Sequence, residues 1–203
     1  MTEEQIRAVT VGEPQVHGRP IELVSYDPGW PELFAREARR IAAALGERAL
    51  GIDHVGSTSV PGLVAKPIID ILLVVADSAD EQMYATSLEA AGYLLRIREP
   101  DWYEHRLFKG PDTSINLHVL SRGCLEIDRM LLFRDRLRSN ETDRALYERT
   151  KRELAQREWK YVQNYADEKG AVVEEIIARV SGEGKERDAA GCAEQASLHR
   201  RRL

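Results

Sequence analysis

Between His54 and Ile71 the chain places a Gly56-Ser57-Thr58-Ser59 turn, a lysine at position 66, and one carboxylate, Asp70, inside the apolar run Ile68-Ile69-Asp70-Ile71-Leu72-Leu73-Val74-Val75. These residue types build a phosphate site. Small residues let backbone N–H groups and hydroxyls approach phosphate oxygens, Lys66 supplies positive charge, and Asp70 can hold a metal ion beside them. A carboxylate in such a run must be hydrated, paired or metal-bound, because burying it bare costs on the order of several kcal/mol. Asp70 is therefore either a metal ligand or half of a structural pair with Lys66 or an arginine. The turn lacks both the Gly-Lys-Ser/Thr ending of a Walker A loop and the Gly-x-Gly-x-x-Gly of a dinucleotide fold. His54, immediately before the turn, is a further candidate ligand residue.

The elements that must position these groups follow from periodicity and punctuation. Residues before Pro20 show no clear period and are broken by Gly12, Pro14, Gly18 and Pro20, which predicts a flexible arm over 1–20. A short strand from Ile21 to Ser25 leads into a helix with Pro31 in its first turn and an apolar stripe of Leu33, Phe34, Ala38, Ile41, Ala42 and Leu45, stopped at Gly46. A strand around Ile52 to Val55 delivers the chain to the turn. Pro67 to Val75 reads as a central strand buried on both faces, with Ile68, Asp70, Leu72 and Val74 on one of them. A helix from Asp77 to Ala91 and strands over Tyr93 to Arg98, Tyr103 to Lys109 and Ser114 to Leu120 come next. From Leu125 the chain turns helical, in segments ending near Arg138, Glu158 and Val180, with Asn140 as a cap. Residues 181–203 mix glycine, alanine and charge without a period, which predicts an unstructured tail. The sum is an α/β (α+β) domain over 21–180, a mixed sheet followed by a helical half.

Composition narrows the function classes. A chain of 203 residues with 43% apolar content has one substantial core, and a net charge of −5 lacks the basic surplus of a protein held to nucleic acid by bulk electrostatics. Only two cysteines, Cys124 and Cys192, are present and far apart, which suggests no disulfide framework and fits a reducing cytoplasm. No apolar run approaches the roughly 20 residues of a membrane span.

Gly56-Ser57, followed after twelve intervening residues by Asp70 in a hydrophobic strand, resembles the signature of the polymerase-beta-type nucleotidyltransferase superfamily, and the whole run resembles its GrpB branch. The likeness begins near Ile21-Glu22-Leu23-Val24-Ser25-Tyr26-Asp27-Pro28-Gly29-Trp30-Pro31. It continues through Asn116-Leu117-His118-Val119, Leu132-Phe133-Arg134-Asp135-Arg136-Leu137-Arg138, and two Tyr-x-x-x-Lys spacings, Tyr147 with Lys151 and Tyr165 with Lys169.

The resemblance implies a nucleotidyltransferase-like fold in which Gly56 and Ser57, flanked by Thr58 and Ser59, hold nucleotide phosphates, Asp70 ligates Mg²⁺, and a nucleoside monophosphate passes to a small-molecule or protein acceptor. It also implies a lysine and a tyrosine from a late helix against the nucleotide, a role that Tyr147 and Lys151 suit, with Arg134 nearby. The superfamily's second carboxylate position holds Leu72, which puts a two-metal mechanism in doubt. The matching later strand offers Asn116 and His118, to complete a reduced metal site or bind substrate. Arg106, in a strand with Glu104 and His105, either pairs on a sheet face or enters the cleft. A non-catalytic module stands as the alternative, since GrpB-like regions resemble an accessory domain of some dephospho-coenzyme A kinases with an inferred role in folding.

Overall fold

The computed structural model describes residues 1–16 and 20–180. Its centre is a five-stranded sheet of β1 (Gly51–Val55), β2 (Ile69–Val75), β3 (Leu94–Glu99), β4 (His105–Lys109) and β5 (Ile115–Ser121), in the order β1-β2-β5-β4-β3. Only β2 and β5 run parallel, so the two most apolar strands lie side by side in the middle. The helices are α1 (Glu3–Val9), α2 (Trp30–Leu45), α3 (Ala85–Ala90), α4 (Leu125–Ser139), α5 (Glu141–Ala155), α6 (Val162–Glu168) and α7 over 170–180. The expected mixed α/β architecture with a helical second half is what forms. No helix among the described residues is long and apolar enough to cross a membrane.

Alternation along β2 gives the sheet two unlike faces. Ile69, Ile71, Leu73 and Val75 join Leu117, Val119 and Phe108 against Trp30, Ile41 and Leu45 of α2 and Leu88 of α3. On the other face Leu72, Leu120 and Val55 pack against Ile127, Met130 and Leu131 of α4. A third cluster, Val60, Leu63, Leu137, Tyr147, Val172 and Ile176, fastens the loop after β1 to α4, α5 and α7. Asp70 belongs to the second face, at the end of β2 where this packing gives way to polar groups.

Several boundaries differ from the sequence reading. The segment before Pro20 contains α1, closed by a capping box between Thr2 and Gln5 and anchored by the fully buried Ile6. One buried residue gives no period to read, yet its burial is worth about 1.5–3 kcal/mol. The strand expected at Ile21 to Ser25 is a single bridge, Val24 to Ala65. The helix expected from Asp77 shrinks to a 3₁₀ turn, Glu81–Met83, followed by α3. The strand expected from Tyr103 starts at His105, because Tyr103 and Glu104 take φ of 54° and 51° to reverse the chain between β3 and β4. The helix expected to Val180 is interrupted at Lys169. The tail expected over 181–203, with Cys192, lies outside the described residues.

Candidate functional site

Gly56 follows β1 with φ 67°, and a Cβ placed there would stand 2.3 Å from Asp70 Oδ2 and 2.9 Å from Asp70 Cγ. Only glycine lets the turn lie against the carboxylate. The 3₁₀ turn Ser57–Ser59 then uses its hydroxyls unequally. Thr58 Oγ1 donates to Ile68 O at 3.1 Å, so it accepts from His54 Nε2 at 3.1 Å, and Ser59 Oγ donates to Gly56 O at 2.6 Å. Thr58 and Ser59, expected as ligand contacts, are buried, Ser59 bonded within the turn and Thr58 to His54 and Ile68 on either side of it. Ser57 Oγ alone faces a distant element, accepting from Lys151 Nζ of α5 at 3.2 Å.

Four lysines act on this spot. Lys151 is fully buried, donates also to Val64 O, and lies 4.9 Å over the Tyr147 ring. Burial, and then the charge of Lys169, push its pKa down to about 7. Burial, followed by Lys169 and Lys109, pushes Lys66 down to about 8. Lys109 is lowered by burial, with Asp70 pulling the other way. Lys169 sits 4.8 Å over the Tyr165 ring, whose buried hydroxyl finds no hydrogen-bond partner among the described residues. None of the four has a carboxylate within salt-bridge distance among the described residues.

Asp70 answers this positive field. Burial works to raise its pKa, but His118, Asn116 and Lys169 outweigh it and hold the carboxyl below the usual range. Asn116 Nδ2 donates to Asp70 Oδ1 at 2.7 Å, while Lys109 Nζ donates to Asn116 Oδ1. The parallel register sets Asp70 opposite Asn116 and Leu72 opposite His118, so the expected shared face is formed. Leu72 is fully buried under α4, and no group of three His, Cys, Asp or Glu able to hold a metal exists among the described residues. His118 Nε2 lies 3.8 Å from Asp70 Oδ1, and its Nδ1 lies 3.0 Å from His105 Nε2.

Other expected residues stand elsewhere. Arg106 points to the opposite face, in register with Val119, where its Nε donates to Glu81 at 2.6 Å and its Nη2 to Glu104 at 3.1 Å. It is a structural ion pair and does not enter the cleft. His54, paired with Ile71, also faces the α2 side and stacks on Phe34 at 4.8 Å, with burial pushing its pKa down to about 4. It borders a separate cavity of about 420 Å³ with Tyr26, Phe34, Pro61, Arg138 and Arg144. Arg134 is spent on Asp53 at 3.0 Å and on His54 O at 3.2 Å, pinning α4 to β1. Tyr147 is the floor beneath Lys151, edge-on to Phe133 at 5.1 Å. Lys109 and Lys169 stand beside Lys66 and Asp70; sequence reasoning did not assign Lys109, and it carried Lys169 only as the lesser of two Tyr-x-x-x-Lys pairs. Strand alternation from His105 carried the signal for Lys109, and the second Tyr-x-x-x-Lys spacing carried it for Lys169.

A family model described as GrpB protein matches residues 20–179, nearly the whole described chain. The chain belongs to the GrpB family. Among its GrpB relatives is UPF0157 protein BH1888 of Halalkalibacterium halodurans, 63% identical over 180 residues that span 89% of this chain and 92% of that one. The crystal structure of GrpB from Enterococcus faecalis superposes with a TM-score of 0.67 at 29% identity, covering 78% of this chain and 99% of that chain. The GrpB region is also 32% identical over 169 residues to the dephospho-CoA kinase of Mycolicibacterium paratuberculosis, of which it spans 42%.

Proposed function

We propose that this GrpB protein binds a nucleotide or a similarly phosphorylated small molecule, with the phosphates against the Gly56-Ser57 turn among Lys66, Lys109, Lys151 and Lys169. The observation that carries the reading is the gathering of four lysines at the turn and its carboxylate: Lys66, Lys109 and Lys169 act on Asp70, Lys151 donates to Ser57, and burial holds Lys66, Lys109 and Lys151 at lowered pKa. Partly buried like charges oppose folding unless something neutralises them, and polyphosphate is the complementary ligand. Mg²⁺ needs oxygen ligands and is commonly held by one or two carboxylates plus substrate phosphates. Asp70 Oδ2, against the turn, suits an ion that arrives with the phosphates. Leu72 leaves no second carboxylate for a second ion. The reaction this arrangement supports is transfer of a nucleoside monophosphate, with the lysines holding the leaving pyrophosphate and Asn116 and Lys109 fixing Asp70.

The test is titration of the full chain with ATP, GTP, CTP and UTP, each with and without Mg²⁺, followed by melting temperature and calorimetry. Ligand at 100 times its Kd adds about 2.7 kcal/mol of stability, which a melting curve resolves. No response to any of the four in wild type sinks the proposal, as does an unaltered response in the double variant Lys66→Ala/Lys109→Ala. The buried Leu72 favours a second reading, a module that binds without turning over, and the partial likeness to a dephospho-CoA kinase suits a folding-accessory role. Mg²⁺-dependent binding with no release of labelled monophosphate would select it.

A further inference from the structure

Beside β1, the edge strand of the sheet, the cavity of about 420 Å³ stands apart from the lysines. Its volume falls in the range that holds a small ligand. Its apolar walls are braced from behind. Tyr26 meets the buried Trp30 edge-on at 5.3 Å, and Phe34 stacks on the buried His54 at 4.8 Å with the rings 9° from parallel. Pro31 and Pro61, which lose no side-chain entropy on being ordered, extend this surface. The remaining wall is cationic. Arg138 Nε donates to Ser59 O at 3.0 Å and Arg144 Nη1 donates to Leu137 O at 3.2 Å, so backbone carbonyls position both guanidiniums, and Nη2 of each is left without a hydrogen bond among the described residues. Their charge is poorly cancelled. Asp135 lies 3.5 Å from Arg138 Nη1, but both its oxygens are already taken by Arg134, at 2.7 and 3.2 Å. Asp143, next to Arg144 in the chain, is spent on Arg136 and Arg179. With Asp53 bound to Arg134, the arginines 134, 138 and 144 outnumber their carboxylates, Asp53 and Asp135, by one. Burial, and then Arg134, lower the Arg138 pKa, as befits a cation short of a counter-ion.

We propose that this cavity is a second ligand site, which takes an aromatic ring bearing one carboxylate, with the ring against Tyr26 and Phe34 and the carboxylate at Arg138 and Arg144. Each half of the ligand answers one wall. Braced aromatic side chains favour a further ring stacked or edge-on to them, and the planar guanidinium fork matches the two oxygens of a carboxylate. A single unmatched positive charge calls for a monoanion, whereas polyphosphate is served by the lysines. Both guanidiniums stay charged at every pH the folded protein meets, so binding does not depend on the state of His54. The site is also independent of the nucleotide reading. Ser59 shares its 3₁₀ turn with Ser57, yet none of Lys66, Lys109, Lys151 and Lys169 lines the cavity.

Titration of the full chain with indole-3-acetate, followed by NMR, tests this. Wild type should saturate, with intermolecular NOEs from the indole to the rings of Tyr26 and Phe34. Indole-3-ethanol keeps the ring without the charge and cyclohexylacetate keeps the charge without the ring, and each should bind at least about tenfold more weakly. Arg138→Gln and Arg144→Gln should each weaken indole-3-acetate by about tenfold while leaving the melting temperature near that of wild type. Inorganic tripolyphosphate should not displace it. Four outcomes in wild type overturn the site even where a variant fails to fold: no saturation up to about 10 mM, NOEs to other residues, indole-3-ethanol or cyclohexylacetate binding as tightly as indole-3-acetate, or displacement by tripolyphosphate, which would put the probe on the lysines. An affinity unchanged in both folded arginine variants overturns it as well. Saturation with the expected NOEs in a protein indifferent to all four nucleoside triphosphates would support this site while sinking the nucleotide reading.

Discussion

The two faces of the sheet handle charge in opposite ways. Toward α2 and α3, buried charges are matched within the protein. Glu37, fully buried, takes bonds from Tyr93 at 2.7 Å and Arg40 at 3.1 Å, and Glu81 joins Arg106 at 2.6 Å to Arg98 at 2.7 Å. On the face of Asp70, lysines gather without carboxylate partners within salt-bridge distance among the described residues, and burial lowers the pKa of Lys66, Lys109 and Lys151. Matched charges serve the fold, whereas unmatched ones are kept at a cost that a bound anion relieves. The difference separates Arg106 from Lys66, two basic residues that look equally eligible in the sequence.

Breaking the matched face should give the largest effect. Glu81→Ala removes the closer of the two carboxylates that hold the buried Arg106 guanidinium and leaves Glu104, so the loss should approach, from below, the about 3–5 kcal/mol of a broken buried pair. Denaturant melts should show that loss while ATP affinity, measured on the folded fraction, stays within error. Gly56→Val should do the reverse. Its side chain collides with Asp70 Oδ2, so phosphate-ligand binding falls by at least a hundredfold in calorimetry, with a smaller loss of stability. Ser57→Ala removes one hydroxyl from a charged contact, worth about 1.5–3 kcal/mol of binding, and an unaltered Kd would make the turn merely structural.

The pH response sharpens the contrast further. Lys151 titrates at about 7 and Lys66 at about 8 in the folded protein, against about 10.4 in an unfolded chain. From about pH 7 to 10 the native state binds fewer protons than the unfolded state, so stability rises with pH across that window. Lys151→Met lacks its share of this dependence. Its melting temperature relative to wild type should be highest below pH 7 and should decline as pH rises, and a difference independent of pH would refute the buried-charge account. Bound phosphate raises both pKa values, so nucleotide binding at pH 8 should take up protons, read as a binding enthalpy that varies with the buffer. The smallest effect is expected of Asp70→Asn in the metal-free protein. An asparagine keeps the Oδ1 acceptor that Asn116 Nδ2 uses, so a melting temperature within a few degrees of wild type is expected, together with loss of Mg²⁺-dependent binding.

Much of the site was legible because its signals are local. Gly56, Ser57 and Asp70 sit within one strand-turn-strand, and period two correctly put Asn116 and His118 on the face of Asp70. Lys151 was reachable through its spacing from Tyr147. What escaped depends on pairing between strands far apart in sequence. Nothing near Glu99 announces that β3 will set it against His105, and nothing near Arg106 announces Glu81. Thr58 and Ser59 misled for a related reason, since a hydroxyl spent on the protein's own backbone, as Thr58 is on Ile68 O and Ser59 on Gly56 O, has the same letter as one that binds a ligand. The hairpin reversal at Tyr103 and Glu104 was hidden by aromatic residues whose usual preference is extended.

The N-terminal segment ties together parts of the chain made far apart in time. Val11 N donates to Arg96 O at 2.8 Å, laying the segment along the outer strand β3, while Lys160 pairs with Glu3 and Asn164 Nδ2 donates to Met1 O at 2.8 Å near the start of α6. During synthesis the first helix therefore has no complete berth until Lys160 and Asn164 have been made. Contacts of such sequence separation form late, because the entropy of closing the long loop precedes any reward. Until then the edge of β3 is open to strands of other chains, so aggregation of nascent molecules, rather than any weakness of the finished one, is the hazard this strap creates and finally removes.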